Sequence, residues 1–550
     1  MFIAKAVCEG CGDCSVQSTC VSIQPVRTAL GVKRRIDQSS CNKDYSCANG
    51  FCPSFITVRD AEPRKPAGAD ISDELFTDLP EPMPVLTEGH TVNLMIAGIG
   101  GTGVVTAAAL IGMAAHLDGK AASAFDMTGL AQKNGAVYSH VRVASRADGI
   151  PNRRIGRGQA DVLLAFDVVA ALGDEAAATL APGLTRAVVN TDLAPTIAFQ
   201  FDRDFTLDDG MLLARLGTKI DRTAMVQVAA TALTANVLGD RMMTTSLVLG
   251  VAAQRGLLPV RPASLEAAIR LNGVAVAANL KAFRLGRLLG HDTTAVQALV
   301  LGHAVEAETL PETLDAIVEH RSAHLTRYQD SRLAERYRSL VDQVATAEAK
   351  VAGGEALLAM AVARRYAGLL AYKDEYEVAR MLTDPALYAK IAHAFGDGAK
   401  LSFNMAPPVF GGRLVNGRPP KREFSLAWRP VLAVLARAKR LRGTWADPFG
   451  HTRHRRMERA LIAEYEALVQ RTLSRLTADN HAAAAAVLDL AGEIRGYGPV
   501  KDAAVANYRQ KLGGLESLMT KPPRGRANVR PPQNATLRPG DVRTLETPVP

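Results

Sequence analysis

All seven cysteines of the chain, Cys8, Cys11, Cys14, Cys20, Cys41, Cys47 and Cys52, fall within the first 52 of its 550 residues, and none follows. A distribution this uneven marks a local chemical site. The odd number argues against a closed disulfide framework. The opening MFIAKAVCEGCG also lacks the apolar core of a signal peptide, and no window approaches about 18 apolar residues free of charge. The reading is a cytoplasmic protein without a membrane span, whose reduced thiols are available to a metal. With 48% hydrophobic and 22% charged residues, the rest of the chain has an ordinary globular balance that excludes collagen, coiled coil and long disorder.

Cys8, Cys11 and Cys14 form C-x2-C-x2-C, which wraps a compact loop around three corners of a cubane iron-sulfur cluster. The fourth ligand of such a site is normally remote, and Cys52, followed by Pro53, has the C-P ending of bacterial ferredoxin runs. Structural zinc is the competing reading, but it usually shows two C-x2-C pairs rather than a triple. Cys20, Cys41 and Cys47 remain. Two four-iron clusters with four thiolates each would need one cysteine more than the chain has. A second cluster would therefore use another ligand type, be a three-iron form, or be absent. One or two [4Fe-4S] clusters are expected, with the assignment of cysteines open.

The chain divides by texture into an iron-sulfur, ferredoxin-like segment (1–59), a Pro-rich linker (60–90), an α/β domain (91–295), a largely α-helical C-terminal domain (296–520) and a Pro- and Arg-rich flexible tail (521–550). In the α/β domain VNLMIAGIG leads through a glycine turn into TGVVTAAALIGMAAHL, a strand, turn and helix. Strand-like runs at 121–125, 136–143, 162–166 and 187–190 alternate with helical patterns, which predicts a Rossmann-like, mainly parallel sheet. From 209 to 290 helix follows helix, and after about 300 strand signals almost vanish. Gly98, Gly100, Gly101 and Gly103 are the candidate cofactor-binding positions, because glycines ahead of a helix allow close backbone approach to an anion. For NAD or FAD the acid expected some 20 residues further on is poorly matched by Asp118 or Asp126. A tight turn that lets the helix pack on the strand explains the same glycines.

CEGCGDCSVQSTC with KRRIDQSSCNKDYSCANGFCPSF resembles the iron-sulfur segment of the long indolepyruvate ferredoxin oxidoreductases, a branch of the 2-oxoacid:ferredoxin oxidoreductases. NLMIAGIGGTGVV and DMTGLAQKNGAVYSHVRV are similar to the gamma-type domain of that superfamily. YKDEYEVARML and LRGTWADPFGHTRHRRMERALIAEYE are similar to its C-terminal helical region. The resemblance implies thiamine-diphosphate-dependent oxidative decarboxylation of a 2-oxoacid, with acyl transfer to coenzyme A and electron transfer to ferredoxin. Gln132, Lys133 and Asn134 are polar candidates for the surface next to that site, and no catalytic residue is assigned.

The family holds thiamine diphosphate and magnesium through Gly-Asp-Gly with a later Asn. Gly396, Asp397 and Gly398 follow the helical LYAKIAHAF, with Asn416 too close, and read as a helix C-terminal turn. Long members carry their thiamine domains before the cysteine segment. The expectation is therefore a subunit inactive alone, in an oligomer with a thiamine-diphosphate-binding partner. Two alternatives differ in class: an iron-sulfur NAD(P)H- or flavin-linked electron-transfer oxidoreductase, and a non-catalytic metal-binding interaction protein.

Between Lys421 and Arg459 eleven basic residues face three acidic ones, which accounts for most of the net charge of +10. Docking of an acidic ferredoxin or of coenzyme A phosphates is one reading; a solvated helix face with subunit contacts is the other. With 5% aromatic residues and no recognition module, no nucleic-acid partner is expected. His451 and His454 lack nearby Cys or carboxylate partners in sequence and read as surface residues.

Overall fold

The structure, a computed structural model, describes all residues except 21, 39, 65–70, 84–89, 130–134, 194–202, 204–207, 304–309, 355, 407–417 and 520–550. The described residues form two compact units. One draws on Met1–Pro63, Gln200–Phe205 and Glu308–Pro550, the other on Arg64–Phe199 and Thr206–Ala307.

The cysteine segment runs through β1 (Phe2–Ile3), a short helix Asp13–Ser18, a hairpin of β2 (Ile23–Thr28) and β3 (Gly31–Ile36), and β4 (Phe55–Arg59). The α/β unit then lays down β5 (Val92–Ile99), β6 (Ala121–Thr128), β7 (Ala136–Ala144), β8 (Val162–Ala165), β9 (Arg186–Asn190) and β10 (Met225–Val228). They form one sheet in the order β10-β9-β8-β5-β7-β6. Strands β10, β9, β8 and β5 pair in parallel, whereas β7 runs antiparallel to both β5 and β6. The sheet is therefore mixed on one side of β5. The connection 129–135 is too short for a parallel crossover, which takes about a dozen residues.

Central strands buried on both faces read as nearly unbroken apolar runs. Leu94 and Ile96 of β5 join a core with the helices Val104–Leu117, Thr244–Gln254 and Pro262–Asn272, while Met95 and Ala97 turn to the opposite core. Helices Thr244–Gln254 and Val276–His291 cross with their backbones touching. A Cβ at Gly250 would lie 2.0 Å from the Phe283 carbonyl oxygen, and one at Gly286 2.1 Å from that of Leu247. Two details depart from expectation. Met225–Val228 is a strand inside the stretch read as purely helical. Within the Pro-rich segment Asp73–Phe76 forms a 3-10 turn, and Ile71 and Phe76 are buried in the α/β core.

In the other unit the helices Leu314–Tyr328, Ser331–Ala349, Leu357–Leu370, Arg453–Leu473 and His481–Asp489 share a core. Leu461, Tyr465, Leu468 and Val469, on one face of Arg453–Leu473, are buried in it. Strands do return after residue 300: β11 (Lys400–Met405) and β12 (Arg422–Ser425) form an antiparallel sheet with the cysteine segment, in the order β1-β4-β11-β12. Ala4, Val7 and Ile56 pack with Leu382, Phe395 and Phe403 in a common core. The cysteine segment has only a small cluster of its own, around Met1, Ile3, Ile23 and Phe55, and shares a larger core with the far end of the chain. No helix among the described residues is long and apolar enough to cross a membrane.

Candidate functional site

Cys8, Cys11, Cys14 and Cys52 line one cavity, with Glu9, Arg34 and Phe55 among its other walls. The loop carrying the first three doubles back at Gly10, whose φ of 66° lies in the left-handed region. A Cβ there would sit 2.2 Å from the Val32 carbonyl oxygen, so only glycine fits, and its N–H donates to Cys8 Sγ at 3.3 Å. Burial, followed by the neighbouring Cys52 thiol, pushes Cys11 up to about 12 and Cys14 well above the ordinary thiol range. Cys52 is raised by burial, against the nearby Lys421 and the Ser54 hydroxyl 2.9 Å from its sulfur. A cationic metal group would relieve the charge penalty that burial places on Cys11, Cys14 and Cys52.

Of the remaining cysteines, Cys20 and Cys41 are the ones that act on Cys47, which packs in the same small cluster as Cys8 and Cys14. The β2–β3 hairpin closes at its base where Ser22 Oγ donates to the Ser40 carbonyl at 2.7 Å, with the two hydroxyls 3.2 Å apart. That junction holds the adjoining Cys20 and Cys41 ends of the chain together. Burial, and then Cys20 and Cys41, push the Cys47 thiol up to about 11. Spacing singled out Cys8, Cys11, Cys14 and Cys52 and left Cys20, Cys41 and Cys47 open; the first four line one cavity. Among the described residues no three His, Cys, Asp or Glu side chains converge as they would around a single metal ion. A cubane spreads its thiolates over separate irons and asks for a cavity rather than one point of convergence.

Several residues that hold the cysteine loops come from the far end of the chain, and nothing in its sequence tied them to the cysteines. Arg418 grips Asp13 with two hydrogen bonds, at 2.8 and 3.0 Å, while Asp13 also accepts from the Phe51 N–H at 2.6 Å. Lys373 donates to the Cys8 carbonyl at 3.0 Å and pairs with Glu9 at 2.5 Å; burial opposes the Glu9 charge, but Lys373 and Lys33 hold its carboxyl down at about 2. Lys421 Nζ donates to the carbonyls of Ala48 and Gly50 at 2.9 and 2.6 Å and lies 5.1 Å from the Phe55 ring centre.

The glycine loop lies at the carboxyl end of β5, between β7 and β8, where the strand order reverses and open α/β sheets offer a crevice. Gly103, at φ 82°, faces Thr245: a Cβ would lie 2.1 Å from its hydroxyl, which donates to the Thr102 carbonyl at 3.0 Å. Gly98 is crowded by Thr102, Val104 and Phe166, the Gly100 N–H donates to the Gly135 carbonyl at 2.9 Å, and Gly101 faces open space. Two of the four glycines thus serve packing. Asp118 accepts from the Arg261 backbone and guanidinium, both at 2.8 Å, and from Ser264 at 2.5 Å, while Asp126 accepts from Ser139. Both acids weighed for a ribose are already engaged. Gln132, Lys133 and Asn134 lie outside the described residues.

Gly396 caps the helix Pro385–Phe395 at φ 85°, as the helix-end reading required. His451 Nε2 contacts the Trp445 carbonyl at 3.1 Å, and His454 Nδ1 contacts Asp502 at 3.1 Å. Part of the basic segment reads differently in three dimensions. Lys421, Arg442 and Arg455 point inward, Arg442 to Asp374 and Arg455 to Glu375 and Glu458, so these three belong to the interior rather than to a docking face. Arg437, Arg440 and Arg456 are exposed.

Residues 93–289 match the family described as pyruvate ferredoxin/flavodoxin oxidoreductase, and residues 314–513 match a family of unknown function (DUF6537). Over 80 residues the chain is 38% identical to indolepyruvate oxidoreductase subunit IorB of Pyrococcus horikoshii, and equally to that of Thermococcus kodakarensis. That stretch is 14% of this chain and 38% of each relative, so the chain spans well under half of the curated relatives it matches. Among solved structures, a 2-oxoglutarate:ferredoxin oxidoreductase from Magnetococcus marinus is similar at TM-score 0.29 and 18% identity, over 37% of this chain and 32% of that one. A keto/oxoacid ferredoxin oxidoreductase gamma subunit from Geobacter sulfurreducens gives TM-score 0.26 and 22% identity, over 36% and 98%.

Proposed function

We propose that the chain, whose residues 93–289 match the pyruvate ferredoxin/flavodoxin oxidoreductase family and which over 80 residues is 38% identical to an indolepyruvate oxidoreductase subunit, is the electron-transfer and gamma-type subunit of an arylpyruvate (indolepyruvate) ferredoxin oxidoreductase. The observation that carries the reading is the lining of one cavity by Cys8, Cys11, Cys14 and Cys52 in a chain whose next domain matches that oxidoreductase family. These four cysteines hold a [4Fe-4S] cluster, and Cys20, Cys41 and Cys47 supply three thiolates to a second. Clusters so held take up and release electrons singly.

The chain's own residues bind and shield: Ile3 and Phe55 wall the cavity, Arg34 closes one side, and the Gly10 N–H donates to Cys8 Sγ. Oxidative decarboxylation of the 2-oxoacid to acyl-coenzyme A belongs with thiamine diphosphate and magnesium on a partner chain, and ferredoxin takes the electrons. The curated relatives are named as subunits of an indolepyruvate oxidoreductase, which supports a chain that works with a partner. The glycine loop shapes the surface presented to that partner, with Gly101 as the position open to a ligand.

Anaerobic purification of the native protein, followed by iron, acid-labile sulfide and zinc analysis and identification of what co-purifies, tests the proposal. Iron and sulfide in equal amounts, a thiamine-bearing partner, and 2-oxoacid turnover only with that partner are expected. Zinc in place of iron, or turnover by the chain alone, refutes it.

A further inference from the structure

The region matching a family without a function, residues 314–513, contributes β11 and β12 to the sheet of the cysteine segment, together with Lys373, Arg418 and Lys421 at the cysteine loops. Every one of these contacts lies within a single compact unit. The three cations differ in what balances them. Lys373 faces the Glu9 carboxylate and Arg418 the Asp13 carboxylate, so each is part of a neutralised pair. Lys421 instead donates to two neutral carbonyl oxygens on the stretch between Cys47 and Cys52, those of Ala48 and Gly50, and sits over the Phe55 ring, with the Arg418-bound Asp13 carboxylate acting on it only from a distance. Its positive charge is aimed at the cysteine loops with no carboxylate in its own hydrogen bonds.

We infer that this region is the second half of the iron-sulfur module, and that Lys421 is a positioning residue whose charge holds the Cys47–Cys52 loop and favours the reduced state of the four-cysteine cluster. The inference rests on the reading of Cys8, Cys11, Cys14 and Cys52 as cluster ligands. One-electron reduction adds a negative charge to a group already made anionic by its thiolates. The electron comes from 2-oxoacid oxidation and leaves to ferredoxin. A fixed cation in a poorly hydrated wall stabilises the more negative state and raises the potential, because net charge and local hydrogen bonding are levers on cluster potential. A neutral side chain at position 421 could still cap a carbonyl but could not supply the charge. Arginine would keep the charge with a different donor geometry.

The test uses the full chain, purified anaerobically, as wild type and as Lys421→Gln, Lys421→Arg and Arg437→Gln. The last removes one exposed positive charge from the same segment. The readouts are iron and sulfide per chain and the midpoint potential from a spectroscopically monitored redox titration. Lys421→Gln with its iron retained is expected to shift the one-electron reduction equilibrium toward the oxidised form by about tenfold or more, about 59 mV, while Lys421→Arg and Arg437→Gln stay near wild type. If Lys421→Gln loses iron while Lys421→Arg keeps it, the charge is needed to hold the loop, which also supports the inference. Full iron with an unmoved potential in Lys421→Gln overturns it, as does loss of iron in Lys421→Gln and Lys421→Arg alike. A wild-type chain without iron and sulfide would instead refute the reading of the cysteines, so the two failures are distinguishable.

Discussion

Arg442 lies in the basic stretch whose sequence suggested a docking surface, yet only 6% of its side chain and 3% of that of Asp374 are exposed. Its Nε and one terminal nitrogen meet the Asp374 carboxylate at 2.5 and 2.9 Å, and the other terminal nitrogen meets the Tyr328 carbonyl at 2.9 Å and Gln329 at 2.7 Å. The guanidinium also lies 3.8 Å from the Tyr328 ring centre. Arg442→Ala removes the cation and leaves Asp374 buried with its charge uncompensated, a loss that runs to about 3–5 kcal/mol when one partner of a buried pair is deleted. At roughly 2 °C or more per kcal/mol for a large domain, the unfolding midpoint should fall by about 6 °C or more. The control is Arg59→Ala. Arg59 pairs with Glu423 at 2.8 Å, but its side chain is 63% exposed, and such pairs are worth below about 1 kcal/mol. Differential scanning calorimetry of the full chain, with wild type and both variants at one pH and salt, measures the difference. An Arg442→Ala midpoint within about 2 °C of Arg59→Ala would refute the assignment of Arg442 to the interior.

Other outcomes follow from the same structure. Gly286→Ala places a methyl 2.1 Å from the Leu247 carbonyl oxygen at a helix crossing, so overpacking should destabilise the α/β unit by about 1–3 kcal/mol or more, read as a lower thermal midpoint; an unchanged midpoint would contradict the close crossing. His324 is held down at about 3, first by burial and then by Arg321 and Arg380. The unfolded chain therefore takes a proton below its ordinary value of 6.5 that the native chain refuses until about 3, and stability falls with falling pH across that window by about 1.4 kcal/mol per pH unit. His324→Phe should lose less stability than wild type between pH 7 and pH 5 in paired thermal scans, and parallel losses would sink the argument. Gly103→Ala should destabilise more than Gly101→Ala in the same scans, because both positions have positive φ but only position 103 meets the Thr245 hydroxyl; equal effects would show that the Thr245 contact matters little.

Most of the α/β unit was legible because its strands are dense in β-branched and aliphatic residues and are bounded by glycines: the runs foreseen at 121–125, 136–143, 162–166 and 187–190 became β6, β7, β8 and β9 with shifts of a few residues at most. The direction of β7 was also within reach, through the shortness of 129–135. Strand β10 was not, since four residues, MVQV, amid helical patterns carry too little periodicity to stand out. Strands β4 and β11 are joined only by tertiary pairing, Ile56 opposite Phe403 across hundreds of residues, and no local pattern encodes a partner so far away. The cysteine spacing picked out Cys8, Cys11, Cys14 and Cys52, which share one cavity. The approach of Cys20 to Cys41 depended on a hairpin closure that spacing does not contain. Charge counting was incomplete for a physical reason: a run of lysines and arginines says nothing about which of them turn inward, as Lys421 and Arg442 do.

The pairing of β4 with β11 has a consequence in time. A ribosome that has finished Arg59 must add 341 residues before Lys400 exists, and at about 5–20 residues per second that takes roughly 20–70 s. Throughout that interval the seven thiols have been made but β11 and β12, Arg418 and Lys421 have not. The α/β unit, most of whose sequence is complete by then, has time to fold first. Cysteine chemistry at the start of this chain is therefore fixed late in its synthesis, and until then the nascent thiols depend on the surrounding cell to keep them reduced.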